Sequence, residues 1–290
     1  KSFSNRLIEE SAIRKQSKID SGSEIIVGVN KYQNEKEKDF DILEIDKNSV
    51  DKDALSKNFV GDPYFSVDPN NTTPFPPELD DLCRLHYLVR KRKVTTILEF
   101  GIGKSTYIFD DALKKNEKEY GEYVKGNLRR TNPFELHSVD NYQDWIDSVK
   151  SNAKNNLSKN TTLHCCELTV STFNDRLCTY YENLPNISPD LIYLDGPDQF
   201  SPKGSVRGLN TNHPDRMPMA ADILTIEHFL IPGTLIVVDG RTANARFLKS
   251  NFQRGWIYSY FPEFDQHFFE LVEEPLGPYN KDYLDFINSL

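Results

Sequence analysis

From Thr95 onward the chain alternates between two kinds of apolar pattern. Short continuous runs, "TTILEF", "FELHSVD", "TTLHCCEL", "PDLIYLDG" and "GTLIVVDG", suit strands covered on both faces. Between them lie "STYIFDDALKKN", "YQDWIDSVKSNAKNN", "STFNDRLCTYYENL", "PMAADILTIEHFL" and "ARFLKSNF", which read as helices. Pro76-Pro77-Glu78 opens a further helix that runs through Val89. Strands alternating with helices predict an α/β domain over residues 77–290, a Rossmann-like doubly wound, mostly parallel sheet. Two closing aromatic runs, "WIYSYFPEF" and "QHFFELVEE", predict a C-terminal antiparallel hairpin.

Residues 1–57 follow a different pattern. "RLIEESAIRKQSKIDSG" places Leu7, Ile8, Ala12 and Ile19 at helical spacing before Gly22, and "EIIVGVNKY" reads as extended. The charged stretch after it has too few apolar residues to bury a core alone. The reading is an N-terminal helical and extended arm over 1–57, then a Pro/Asn-rich linker or lid over 58–76.

Composition narrows the function classes. A hydrophobic content of 38% with 12% aromatics supports a sizeable core in 290 residues. The net charge of −9 disfavours a nucleic-acid binder, which would carry a basic face. No apolar run approaches membrane-spanning length, so no membrane partner is expected. Cys83, Cys165, Cys166 and Cys178 form no C-x-x-C pair, which suits reduced thiols in a cytoplasmic setting. The first residue is Lys1 and no signal peptide is evident, so the expectation is a chain cut from something longer.

The stretch "ILEFGIGKST" carries the sharpest chemical signal, since a strand ending in Glu99 feeds a G-x-G turn. The phosphate-cradling motif G-x-x-x-x-G-K-[ST] fails because Leu98 stands where its first glycine belongs. The dinucleotide motif G-x-G-x-x-G fails at Thr106, whose branched side chain obstructs close helix–strand packing. An acidic strand end before G-x-G suits S-adenosylmethionine instead. Gly101 and Gly103 let the backbone approach it, Glu99 balances its positive charge, and Asp140 at the next strand end accepts from both ribose hydroxyls. The same residues would also serve an ordinary strand–helix turn and, for Asp140, a helix N-cap.

"LEFGIGKS", "HSVDNY", "PDLIYLDGP" and "LIPGTLIVVDG", in this order over about residues 77–275, resemble class I S-adenosylmethionine-dependent methyltransferases. The resemblance implies S-adenosylmethionine as cofactor, adenine contacts near Cys166 and Glu167, and methyl transfer to a small-molecule acceptor, at oxygen. A long charged insert, "KKNEKEYGEYVKGNLRRTN", departs from the family spacing. "IEESAIRKQSKIDSGSEIIVGVNKY" followed by "DILEIDKNSV" resembles the large-subunit segment of methylmalonyl-CoA mutases that joins substrate barrel to cobalamin domain. The mutase chemistry itself is absent, so the arm reads as a relic or fusion arm, with a mutase-type partner one possible use.

Ligands of open parallel sheets bind beyond the carboxyl ends of the strands. Asp195 and Asp239 end the fourth and fifth parallel strands and are the candidates for orienting or deprotonating an acceptor, with loop capping as the plainer use. Metal-dependent O-methyltransferases carry Asp at both positions and then Asn, where this chain has Gly240, so no metal is expected. The long segment "GPDQFSPKGSVRGLNTNHPDRMP" reads as an acceptor-binding cover contributing Arg207, His213 and Arg216, or as a plain surface loop. Arg241 would reach an anionic acceptor or pair with Asp195, and His267 carries no assigned role. A non-catalytic binding protein on the same fold and a mutase-associated fragment are the alternative functions.

Overall fold

A computed structural model describes residues 79–152, 157–262 and 264–289. The predicted arm (1–57) and linker or lid (58–76) lie outside the described residues. Helix α1 (Leu79–Lys91) leads into β1 (Thr96–Phe100), α2 (Lys104–Asn127), β2 (Glu135–Asp140), α3 (Gln143–Asn152) and β3 (Thr161–Cys165). Then come β4 (Leu168–Phe173), β5 (Arg176–Tyr181), β6 (Leu191–Leu194), α4 (Asp222–Ile226) and a 3-10 turn (Glu227–Phe229). The described chain ends with β7 (Leu235–Asp239), α5 (Thr242–Asn251), β8 (Trp256–Phe261), β9 (Gln266–Leu271) and α6 (Pro278–Asn288).

Seven strands form one sheet in the order β3-β2-β1-β6-β7-β9-β8. Strands β3, β2, β1, β6 and β7 are parallel, and β9 runs antiparallel to both β7 and β8. The chain reverses its direction of travel across the sheet between β1 and β6, so a crevice opens at their carboxyl ends. Strand alternation divides the side chains between two faces. Leu98, Phe100, Ile192, Leu194, Ile236 and Val238 share one core with β4–β5, α4 and α5. The neighbours that alternate with them include Glu99 and Tyr193, whose ring meets Phe109 of α2 edge-on at 5.3 Å. At the opposite end of the strands, buried Asp190 accepts from the Thr95 and Thr96 amides and the Tyr283 hydroxyl of α6.

Four elements differ from the sequence expectation. "STFNDRLCTYYENL" is no helix but the β4–β5 hairpin, turned at Asn174 and Asp175 with φ of 48° and 62°. The turn dipeptide and the β-branched run Thr169-Val170 outweigh a helical spacing of leucines and tyrosines. The helix expected over 218–230 shortens to α4 and the 3-10 turn, because residues 218–220 extend instead and Ala220 bridges Thr179. The charged insert largely continues α2, a 24-residue helix. Helix α6 was not expected, although Gly277-Pro278 marks its start. Among the described residues no helix is long and apolar enough to cross a membrane.

Candidate active site

The turn after β1 is organised by a buried carboxylate. Glu99 has no exposed surface, and its oxygens accept from Ser105 Oγ at 2.5 Å, Thr106 Oγ1 at 2.8 Å and Ser138 Oγ at 2.5 Å. Ser105 and Thr106 lie in the first turn of α2 and Ser138 in β2, so one side chain joins three elements. Burial pushes the Glu99 pKa up to about 7, against the lowering effect of its three hydroxyl donors. Its acceptor capacity is thus used within the protein.

Gly101 adopts φ +100°, and a Cβ there would stand 2.8 Å from the Gly196 amide nitrogen. The turns after β1 and β6 therefore touch backbone to backbone, as only glycine allows. A Cβ on Gly103 would meet nothing within 4 Å, so the second glycine of the motif faces open space. Asp140 closes the other flank, accepting from the Ile102 amide at 2.9 Å through Oδ2 and from the Tyr142 amide at 2.9 Å through Oδ1. Burial holds its pKa above the ordinary carboxylate value, and the nearby Asp198 charge adds to that.

Asp195 follows β6 and Asp239 ends β7. The Asp195 pKa is pushed up to about 7 by surrounding protein, with Asp239 and Asp140 adding and Arg241 opposing. Its side chain is 56% exposed, so water screens part of that effect. Arg241, just before α5, donates to the Asp195 carbonyl at 2.5 Å and the Pro197 carbonyl at 2.6 Å. Its Nε lies 3.7 Å from Asp195 Oδ1 and is buried without a hydrogen bond. Arg241 thus clamps the turn that carries Asp195. Asp239 accepts a 2.6 Å hydrogen bond from the hydroxyl of buried Tyr193.

The remaining candidates stand differently. Cys166 is buried, donates its thiol to the Asn183 carbonyl and packs in the core of the hairpin face. Glu167 pairs with Lys203 at 2.7 Å at the hairpin base. Lys203 in turn bonds β4 through its backbone, which ties the long segment to the hairpin. Arg207 is exposed at the tip of a turn closed by Val206 and Leu209, with φ 56°. Arg216 donates to the Asn210 carbonyl, and His213 Nδ1 accepts from the Asp215 amide. None of these hydrogen bonds reaches Asp195 or Asp239. Fully buried His267 lies between Thr242 Oγ1 and the Tyr258 hydroxyl, at 3.0 and 2.9 Å.

Sequence reading missed Ser138, Tyr193 and Asp198. Ser138 and Tyr193 sit inside strand runs and read as core. Asp198, in the G-P-D turn after β6, has one buried oxygen without a hydrogen-bond partner and lies beside Asp140. Among the described residues, no group of three or more His, Cys, Asp or Glu side chains is placed to hold a metal ion. Gly240, directly after Asp239, offers no side-chain oxygen beside Asp195 and Asp239.

The five parallel strands, with reversed β9 between β7 and the edge strand β8, match the order expected from the sequence motifs. This is the doubly wound, mostly parallel α/β architecture with a C-terminal antiparallel hairpin that the sequence predicts. Solved structures of similar outline include a methyltransferase from Podospora anserina, bound to SAH, with TM-score 0.40 and 14% identity over 80% of this chain and 99% of that one. An O-methyltransferase from Bacillus cereus in complex with SAH gives TM-score 0.39 and 13% identity over 70% of this chain and 85% of the other. The SAM complex of an O-methyltransferase from Streptomyces achromogenes gives TM-score 0.36 and 14% identity over 68% and 81%. These likenesses concern outline, and what the site can do rests on its own residues.

The N-terminal segment is similar to a different family. The family description "Methylmalonyl-CoA mutase" matches residues 1–58. Mitochondrial methylmalonyl-CoA mutase of Bos taurus is 60% identical over 50 residues, which is 17% of this chain and 7% of the bovine protein. The Escherichia coli mutase is 47% identical over 51 residues, 18% of this chain and 7% of that one. The matched segment thus spans a small fraction of these mutases.

Proposed function

We propose that this protein binds S-adenosylmethionine in the crevice between β1 and β6 and transfers its methyl group to a small-molecule acceptor, at oxygen. The observation that carries this reading is the charge of the crevice. Asp239 and Asp140 raise the proton affinity of Asp195, and Asp198, which carries an unpartnered buried oxygen, raises that of Asp140. An anionic pyrophosphate would be repelled there, whereas a ligand with a sulfonium and an ammonium group is attracted. The open space at Gly103 lets such a ligand lie against the backbone.

In this reading Asp140 holds the ribose hydroxyls at the rim while its amide partners fix its direction. Glu99 shapes the turn through its three hydroxyl donors instead of touching the ligand. The cofactor supplies an already activated methyl group, so the protein's task is alignment, exclusion of water and acceptance of one proton. Asp195, exposed in the mouth and clamped by Arg241, is the group placed to take that proton. A cytoplasmic setting fits four cysteines that form no disulfide among the described residues.

Calorimetry with S-adenosylmethionine tests the reading. Asp140→Ala should weaken binding by roughly 1.5–3 kcal/mol, the range for a charged hydrogen bond, in a variant whose melting shows it folded. Unchanged affinity in that variant would remove Asp140 from the ligand.

A second proposal concerns the arm. Identity of 60% over 50 residues is high for a segment without mutase chemistry, which favours residues 1–57 as a separable docking element for a mutase-type partner. Capture of a mutase barrel domain by the full chain, and not by a chain starting at Phe59, is the expected result. Equal capture by both sinks it.

A further inference from the structure

Two carboxylates at the mouth of one crevice raise the question of which takes a proton. Their surroundings differ in kind. Asp239 leaves β7 with Oδ2 held at 2.6 Å by the Tyr193 hydroxyl, and Tyr193 is itself fixed by burial and by its edge-on contact with Phe109. Among the described residues no hydroxyl donates to the Asp195 carboxylate, whose nearest cationic partner is Arg241. Arg241 spends its Nη groups on the carbonyls of Asp195 and Pro197, and its Nε remains 3.7 Å from Asp195 Oδ1. The other charged groups felt in this cluster are Glu99 of β1, Asp140 of β2 and Arg241 at the start of α5.

We propose that Tyr193 is a positioning residue that assigns the two carboxylates different tasks. Its hydroxyl holds Asp239 as a fixed, ionised acceptor, and Asp195 is left as the carboxylate that takes up the acceptor's proton. This deepens the methyl-transfer reading and rests on it. In balanced form, the acceptor oxygen bonds the methyl carbon with its lone pair and its proton passes to Asp195. The carbon–sulfur bond breaks with its electron pair staying on sulfur, which leaves a neutral thioether. Asp239 keeps its charge throughout the step.

The chemistry of the phenol supports the assignment. Burial and the charges of Asp195 and Asp239 push the Tyr193 pKa far above its ordinary value, so the hydroxyl remains a donor at every working pH. A hydrogen bond donated to a carboxylate favours its ionised form. The upward push on Asp195 gives it the opposite tendency. Neighbouring carboxylates driven apart in this way mark the separate acid–base roles of many active sites.

The experiment needs no cofactor and no acceptor, so its failure is distinct from failure of the methyl-transfer reading. Full-length protein labelled at aspartate Cγ with carbon-13 is titrated by NMR in the wild type and in Tyr193→Phe, which keeps the ring on Phe109. Asp195→Asn and Asp239→Asn assign the signals. In the wild type the carboxyl of this pair that titrates near neutrality should vanish with Asp195→Asn. In Tyr193→Phe the Asp239 signal should move upward in pH and titrate together with Asp195, with amide spectra otherwise preserved. Unchanged Asp239 titration in Tyr193→Phe would overturn the proposal. So would assignment of the wild-type neutral titration to Asp239, a result that decides the matter even if Tyr193→Phe does not fold.

Discussion

Replacing Glu99 by Gln keeps the shape of a fully buried side chain and removes its titration. The pKa rises from the ordinary 4.5 to about 7, a difference worth about 3 kcal/mol at 1.36 kcal/mol per unit. The sign follows from the direction. A carboxyl whose folded pKa is raised stabilises the fold fully below its unfolded pKa, and that contribution is lost as pH climbs towards 7. Between pH 5 and pH 8, wild-type stability should therefore fall relative to Glu99→Gln by about 2–3 kcal/mol. Taking the difference between the two proteins cancels the slopes of Asp195 and Asp222, whose pKa values are also raised to about 7. Urea unfolding of both proteins at the two pH values gives the number. Parallel pH dependence in wild type and variant would refute the reasoning, because it would mean that Glu99 is ionised over the whole range.

Gly101→Ala combines a φ of +100° with a Cβ 2.8 Å from Gly196 N, so it should cost on the order of 2 kcal/mol or more, read as a lower midpoint in urea. Arg241→Ala frees the Asp195 and Pro197 carbonyls and should weaken S-adenosylmethionine binding by calorimetry while Arg241→Lys restores it only in part, since lysine lacks the two-pronged donor. Unaltered binding in Arg241→Ala would show that the clamp does not shape the site. Arg207→Ala should leave both melting and cofactor affinity intact, as befits an exposed turn tip, and abolish turnover if the 196–218 segment covers the acceptor. A chain starting at Phe59 should melt cooperatively and still bind cofactor, and aggregation of it would place the arm within the core.

Strands β1, β6 and β7 were legible because each is a short apolar run closed by an acidic or glycine residue, as in "TTILEF" before Gly101 and "LIVVD" before Gly240. The β4–β5 hairpin was not, although Asn174-Asp175 between β-branched and aromatic residues is a hairpin signal, because leucine and tyrosine spacing also fits a helix. Of the site, the glycine turn and the carboxylates at strand ends could be named in advance. The partners that define their chemistry could not. Ser138 and Tyr193 lie in strand interiors, where only the register of Glu99 with Ser138 and of Glu99 with Tyr193 reveals their neighbourhood. Arg241 read equally as an acceptor contact, and its clamp on two carbonyls depends on a turn that no local pattern announces.

The most direct test of the account is a crystal structure of the full chain grown with S-adenosylhomocysteine. The account predicts density along Gly101–Gly103, with the ribose hydroxyls on the Asp140 carboxylate and the sulfur facing Asp195. A clear map at saturating ligand with nothing in that crevice, or with the ligand bound elsewhere, would contradict it.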